Sequence, residues 1–585
     1  MTRLMIASEK KLRQPSSTPF SSDLAQACIK VSILKHHKLR LHHPSNTSTT
    51  ITRLQQRLHQ PISLPSTLAE TNIALRQARS DVRTIRKDAI AHRESFLQSL
   101  IQEQPNNQTL KRIRRAEEMK RGFAKIRFAT KPDQFSLVTQ LDIPSDDTPP
   151  KQATKWKRIT DPNHVTSLLV ERNTTHFGSA HGTPFTQHPL CKDFDWTIQN
   201  PPFRNTLNGQ PPMYASPDVN HLLLHMKQKV SPVSSTLTLH DLIARFRKWK
   251  ESTTTSPSRR HLGHYKSLLP PPNYDIDEYR TSLEGQILSI HLALLNFCAR
   301  TGYSIQRWAN IITTMIPTES NNYKIHRLRV IHIYEADLTA LFSIWSRRMI
   351  KASTAANTLN QGSYGARPGR TSTDPPFLSL LQNEISAITC TSLCIGPNDA
   401  AQCYDRLIPN QALMSCMSHG MPISAAKCIG TTLYNAKYFL RTATSQSTSF
   451  WSHTNTTPIY GTGQGSGISP GVCCVTYSDL FDLHSVNNPG SMYRTPNNTS
   501  TITINNVGFV DDTTTTVSDH HLDQSMTPSQ LVSSIASSLQ QWSNVLTVSG
   551  GALELTKTSV YVLWWFYLMR MALHIFLTSQ IALSR

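Results

Sequence analysis

Acidic residues are scarce in this chain of 585: 38 Asp and Glu stand against 60 Lys and Arg, a formal net charge of +22. That imbalance excludes a neutral surface and points to a polyanionic partner, nucleic acid before an acidic membrane. Cysteine is sparse as well. None of the ten cysteines forms a CxxC pair, and no His or Cys pair follows Cys390 and Cys394 at ligand spacing. A zinc site and a disulfide framework are therefore not expected. The opening MTRLMIASEKKLRQPSS lacks the apolar stretch of a secretory signal, so an intracellular protein, nuclear or cytoplasmic, is expected. Long apolar runs are missing too. The nearest, Val560 to Leu577, carries Arg570 and His574. A spanning helix tolerates such charges badly, so a buried strand with an irregular tail is expected, without stable membrane association. Hydrophobic residues make up only 38%, which predicts that part of the chain is disordered or depends on a partner.

The charge is concentrated at one end. Residues 1–131 hold 25 Lys and Arg against 9 Asp and Glu. Within them, 1–64 is a basic, Ser/Thr/His/Pro-rich segment of low complexity. Between Pro65 and Pro105 there is neither Gly nor Pro, and Leu68, Leu75, Val82, Ala89 and Phe96 recur every seven residues. This spacing predicts a long amphipathic helix whose seam suits self-association through residues 66–104. After Asn106-Asn107 a second helix is expected, with Leu110, Ile113, Ala116, Phe123 and Ile126 on one side and Arg112, Arg114 and Arg115 among the cations on the other. A basic hairpin over 65–131 could lie along a phosphate backbone; a solvated helix pair is the plainer alternative. Residues 132–235 read as a Pro- and Thr-rich linker with local order. From about 236 to 560 the pattern is mixed α+β. Leu237–Lys250 and Tyr279–Ala299 read as helices; Ile388–Ile395, Ile502–Val510 and Thr513–Ser518 read as strands.

Because Asp is scarce, its clusters matter. In GFVDDTTTTV, Asp511-Asp512 falls between two β-branched runs, which predicts a hairpin tip with two adjacent carboxylates. Adjacent carboxylates repel, and a divalent cation relieves them; Asp also favours turns for its own local hydrogen bonds. Upstream, the apolar run ITCTSLCIGPND ends at Asp399, followed by Tyr404 and Asp405. Between these lies IYGTGQGSGISPG, whose glycines let backbone approach a planar ligand closely and whose Ser469-Pro470 favours a helix start.

This ordered set resembles the reverse transcriptases of non-LTR retrotransposons. Asp399-Ala-Ala-Gln-Cys-Tyr404-Asp405 resembles the palm motif with the first catalytic aspartate. Gly463-Gln464-Gly465-Ser466 with Ser469-Pro470 resembles the PQGxxxSP segment, and Phe509-Val510-Asp511-Asp512 the YADD-type box. SRRHLGHYK (258–266), KIHRLRVIHIYEAD (324–337), GSYGARPGRTSTD (362–374) and SGGALELTK (549–557) resemble further family segments in the same order. The resemblance covers roughly residues 245–560.

The resemblance implies an α+β right-hand polymerase, with fingers over 236–375 and an antiparallel palm sheet over 376–558, preceded by the basic helical region. It implies RNA-directed DNA synthesis on an RNA template from a DNA primer with deoxynucleoside triphosphates, using Mg²⁺ or Mn²⁺ held by Asp399, Asp511 and Asp512. Tyr404 would exclude a ribose 2′-hydroxyl. Arg329 would hold the triphosphate, Gln464 and Gly465 would shape the template–nucleotide pocket, and Lys557 would face the leaving pyrophosphate. The lysine that the family carries near Ile316 is missing from Ile316-Pro317-Thr318, so either Lys324 substitutes for it or that contact is lost. Pro397, two residues before Asp399, is expected at an edge or strand end, where it could displace that carboxylate. The segment 559–585 is expected to be a truncated apolar tail of a longer protein, short of room for a primer-gripping hairpin and thumb. Two other classes of function compete: a catalytically inactive retroelement remnant that only binds nucleic acid, and a helical scaffold resting on residues 66–130.

Overall fold

The computed structural model describes residues 21–42, 48–107, 110, 113 and 137–579, apart from 197, 199, 250–256, 259, 261, 272–273, 320–321, 445, 489, 496, 498, 520–525 and 569–570. The chain divides into two compact units, Met1–Arg127 and Phe128–Arg585. Among the described residues no helix is long and apolar enough to cross a membrane.

In the first unit, α1 (Ser22–His42) carries adjacent Ile33 and Leu34 into two different apolar clusters. Ile33 packs with Ile51 of α2 (Ser48–Gln55) and Leu58, whereas Leu34 packs with Leu75 and Ala78 of α3 (Leu68–Lys87). The start of α3 is set by a capping box in which Thr67 accepts from the Glu70 amide and Glu70 from the Thr67 amide. The uninterrupted helix expected over 65–105 is two: Asp88 leaves the helical region (φ −106°, ψ 21°), and α4 (Ala89–Glu103) follows. Of the heptad positions Leu75 is buried, packed with Ala78 against Leu34 of α1, whereas Leu68 is exposed. The basic second helix, with Arg112, Arg114 and Arg115, lies outside the described residues.

The second unit is mixed α and β. Residues read as a linker are instead packed into its core. β1 (Leu141–Pro144) and β2 (Trp156–Ile159) form an antiparallel ribbon. Then α5 (Pro162–Phe177), capped by Asp161, buries Val165, Leu169 and Phe177 at helical spacing. These side chains share one core with Phe194, Phe203, Trp308 and Trp345. Several of the prolines that gave the segment its linker composition, Pro162, Pro184, Pro201 and Pro217 among them, sit in the first turn of a helix, where a missing N–H costs nothing. α6 (Leu239–Lys248) and α7 (Leu283–Thr301) follow, each shorter than its sequence pattern suggested.

Two sheets position the site. The first has the order β4-β3-β6-β7, made of β3 (Asn310–Pro317), β4 (Leu328–Ile333), β6 (Lys437–Arg441) and β7 (Gln446–Ser452). Only β3 and β6 in it are parallel. After β4, α8 (Ala336–Ala355) begins over a buried network in which Arg307 pairs with Glu335 at 2.9 Å and with Asp337, and Ser258 donates to Glu335 at 2.9 Å. The second sheet, β10-β11-β5-β12-β13, is antiparallel throughout. β5 (Leu393–Asp399) starts later than expected, because α9 (Asp374–Thr389) claims Ile388 and ends at left-handed Cys390. Asn505 divides the predicted strand over 502–510 into β9 (Thr501–Ile504) and β10 (Asn506–Phe509); β11 is Asp512–Ser518. Alternation places Leu393 and Ile395 on one face with Leu563, and Cys394 on the other. That second face is covered by Leu531, Ile535 and Leu539 of α14 (Pro528–Val548). Past Lys557 the chain does not trail off irregularly: β12 (Val560–Leu568) and β13 (Met571–Ser579) add a hairpin to the sheet.

Candidate functional site

The carboxylates lie at one end of the second sheet. Asp399 ends β5, and its Cα pairs in register with that of Asp512, the first residue of β11. Pro397 does not displace it. The β12 ladder on β5 stops at Ile395, so the proline removes no donor that β12 needs, while pairing to β11 continues to Asp399. The tip between β10 and β11 is the two-residue turn Val510-Asp511, closed by Phe509 opposite Asp512. Val510 has φ +66°, rare for a β-branched residue and costing on the order of 1–3 kcal/mol. The Ala400 amide donates to the Asp511 carbonyl at 3.1 Å, tying the two carboxylate-bearing segments together. The segment 362–364 runs along β10, with Gly508 donating to Gly362 at 2.8 Å and Tyr364 to Gly508 at 2.9 Å.

A third segment closes this end. The Glu554 amide donates to the Asp399 carbonyl at 2.9 Å and Ala401 to the Ala552 carbonyl at 2.8 Å. This brings Lys557 onto the Asp399 carboxylate, with which it forms an ion pair. Glu554 itself pairs with Lys151 at 2.7 Å.

The glycine-rich loop reaches the site from the first sheet. His332 of β4 donates its amide to the Gln464 carbonyl at 2.8 Å. Gly465 has φ +111°, and a Cβ there would stand 2.2 Å from the His332 carbonyl oxygen, so only glycine fits. Ser469 Oγ, at the start of α13 (Ser469–Val486), donates to the carbonyls of Thr462 and Gly463 at 2.9 and 2.8 Å, fixing the loop's exit.

These segments enclose a cleft of about 720 Å³, lined by Asp399, Asp511, Tyr404, Gln464, Gly465, Arg329 and Lys557. Seven of the nine residues singled out in this region by sequence thus line one cleft. Asp512 is exposed at the head of β11, opposite Asp399. Lys324 is not among the lining residues; its ammonium lies 4.6 Å from the Trp156 ring centre, a cation–π contact on β2.

Sequence reasoning missed Arg245, Trp249 and Glu554, which also line the cleft. Arg245 Cζ sits 4.6 Å from the Trp249 ring centre, and burial, helped by Arg347, brings the guanidinium pKa down to about 10. Of the three only Arg245 lies within the helix LHDLIARFRK, whose cations are the one local signal in the sequence. Asp405, by contrast, turns away into the protein and pairs with His176 Nε2 at 2.9 Å.

Electrostatically the cleft sets three carboxylates, Asp399, Asp511 and Glu554, beside three cations, Arg245, Arg329 and Lys557. Burial, then the neighbouring Asp512 and Asp399 carboxylates, push the Asp511 carboxyl above its ordinary pKa. Such a concentration of negative charge favours a bound cation. Among the described residues no three His, Cys, Asp or Glu side chains form a preassembled metal cage. A hard ion such as Mg²⁺ needs none: it is commonly held by one or two carboxylates, with phosphate oxygens and waters completing the octahedron. Asp399 and Asp511 facing an open polar cleft fit that mode, and Arg329, Arg245 and Lys557 supply cations for a polyphosphate.

No protein-family model and no curated protein matches this chain.

Proposed function

We propose that this chain is an RNA-directed DNA polymerase of the non-LTR retrotransposon type. In this reading the sheet containing β5, β10 and β11 is the palm, and β3 and β4 with α8 belong to the fingers. The observation that carries it is the convergence of Asp399 and Asp511 with Tyr404, Gln464, Arg329 and Lys557 on one cleft, although these residues are scattered from 329 to 557.

Asp399, Asp511 and Asp512 would hold Mg²⁺ or Mn²⁺, which when bound supplies charge stabilisation to attacking and leaving oxygens in phosphoryl transfer. Arg329 would orient the triphosphate through charge-assisted hydrogen bonds. Lys557 would offer a proton or a compensating charge to the pyrophosphate as it leaves. Tyr404 would close the space beside the sugar, and Gln464 with Gly465 would present backbone to the nascent base pair. RNA template and DNA primer are the partners this reading requires, and the basic segment around Arg112, Arg114 and Arg115 is a candidate backbone contact.

The test is primer extension on an RNA template with Mg²⁺, comparing the full chain with Asp511→Asn. Deoxynucleotide addition by the wild type and none by the variant supports the reading. Equal template binding by both proteins without extension by either would instead mark a catalytically inactive nucleic-acid-binding remnant.

A further inference from the structure

α7 is apolar on two faces, and the protein covers one of them. Leu288, Leu295 and Cys298 expose no surface and join the main core. On the other face Leu283, Ile287, Ile290, Leu294 and Phe297 are 69, 43, 73, 44 and 47% exposed. A helix that is apolar all round is ordinarily buried all round. Hydrophobic residues exposed singly need no explanation, but five in one row along a whole helix mark a surface that something covers.

The spacing of the row says what kind of partner fits. Its steps are four, three, four and three residues, the repeat that lets a second helix lie alongside with its side chains interlocked. Just past the helix, Tyr303 extends the row, its ring centre 6.0 Å from that of Phe297. A membrane surface would ask for an apolar face flanked by cations. Glu284, Gln286 and Ala293 stand exposed beside this row instead.

The two ends of the row carry opposite charge. In a chain of net charge +22 the start of α7 is acidic. Glu278 and Glu284 are exposed there, while Asp277 and Arg280 neutralise each other at 3.0 Å. The far end is basic: Arg300 is exposed, and Lys427 lies against Gly302, which caps the helix. None of Glu278, Glu284, Arg300 and Lys427 has an ion-pair partner among the described residues.

We propose that α7 is a self-association surface, on which the same helix of a second copy lies antiparallel to form a twofold dimer. That arrangement covers the row with its own complement and sets the acidic end of each helix beside the basic end of the other. It also opposes the two helix dipoles. A parallel pair would bring like ends together. The contact is isologous, so it closes after two copies. An unrelated helix, or the first unit of the same chain, would leave the protein monomeric. The proposal uses no group of the carboxylate cleft and stands apart from the polymerase reading.

The experiment is sedimentation equilibrium of the full chain, nuclease-treated, from about 1 to about 50 µM. Wild type should be dimeric at the upper end. Ile290→Glu changes a side chain that is 73% exposed, so the core is not at stake. It should raise the dissociation constant at least about tenfold, because the seam would then bury two unpaired carboxylates. Ile290→Leu should keep the dimer. Ile502→Glu alters a comparably exposed residue of β9 and should change nothing. Arg300→Glu should loosen the dimer about threefold, and adding Glu284→Lys should restore it. A monomer at every concentration would overturn the proposal. So would a dimer that Ile290→Glu leaves intact, which places the contact elsewhere, or one that Ile502→Glu loosens equally, which marks nonspecific association. A dimer indifferent to Arg300→Glu would overturn the antiparallel arrangement. A failure of primer extension leaves these outcomes untouched, because mass is read without catalysis.

Discussion

Lys557 donates its ammonium protons to the Asp399 carboxylate, from 158 residues further along the chain. The hydrogen bond to Asp399 raises the ammonium pKa, and the same carboxylate charge adds to it, so Lys557 stays protonated at neutral pH. It is 66% exposed at the side chain, free to swing toward an arriving phosphate. Lys557→Met should slow single-turnover extension by roughly 10²-fold, the lower end for loss of a positioned proton donor, with primer–template affinity unchanged. An extension rate equal to wild type would assign Lys557 a purely structural role at the end of β5.

Tyr404 tests sugar choice. Tyr404→Ala should raise ribonucleotide incorporation relative to deoxynucleotide, because the ring's bulk and not its hydroxyl excludes the 2′-oxygen. Some loss of rate is expected too, since small misplacements at the reacting centre cost as much as 10²-fold. Asp399→Asn should abolish extension with both sugars. Equal discrimination by wild type and Tyr404→Ala would mark the ring as packing only.

Val510 tests the turn. Removing a buried valine from a strand by mutation to glycine costs more than about 2 kcal/mol through lost burial and added chain entropy. Val507, 2% exposed in β10, should show that loss. Val510 sits at φ +66°, where glycine relieves strain. Val510→Gly should therefore change stability by less than about 1 kcal/mol, the gain offsetting the lost side chain. Urea unfolding of the two variants makes the comparison.

Two buried histidines predict an acid limit. Burial brings the imidazoles of His332 and His484 down to about 4, from an ordinary 6.5. Between those values the unfolded chain binds protons that the folded chain refuses, so stability rises with pH through this window. It should be full above about 6.5 and decline as pH falls toward 4. His484 sits between Ser538, whose carbonyl lies 2.9 Å from Nε2, and Asn506, whose amide lies 2.6 Å from Nδ1. Urea midpoints from pH 7.5 to 4.5 should show the decline, and His484→Gln should shallow it while lowering stability at neutral pH. A flat profile in wild type would contradict it.

The basic segment predicts salt dependence. If Arg112, Arg114 and Arg115 contact phosphates, replacing all three by Ala should reduce the slope of log affinity for RNA against log salt by about one unit per lost contact. An unchanged slope would identify a solvated face.

What the sequence determined by itself was local. β-branched runs around Asp511-Asp512 specified a hairpin tip, and the turn is there at Val510-Asp511. The Gly-rich stretch specified a loop of unusual backbone, and Gly465 adopts φ +111°. Heptad spacing specified helix over 68–103, missing only the break at Asp88. These outcomes depend on residues within a turn or two of each other. Tertiary structure decided the rest. Residues 137–235 look like a linker by composition, yet Leu169, Phe177 and Phe203 are buried because strands and helices far along the chain cover them. Arg245 and Trp249 face the cleft, and Lys324 rests on Trp156, through packing between elements that no local pattern encodes. The pairing of Asp399 with Asp512 is likewise a register between distant strands, chosen because a slip by one residue would turn Cys394 and Val517 away from α14.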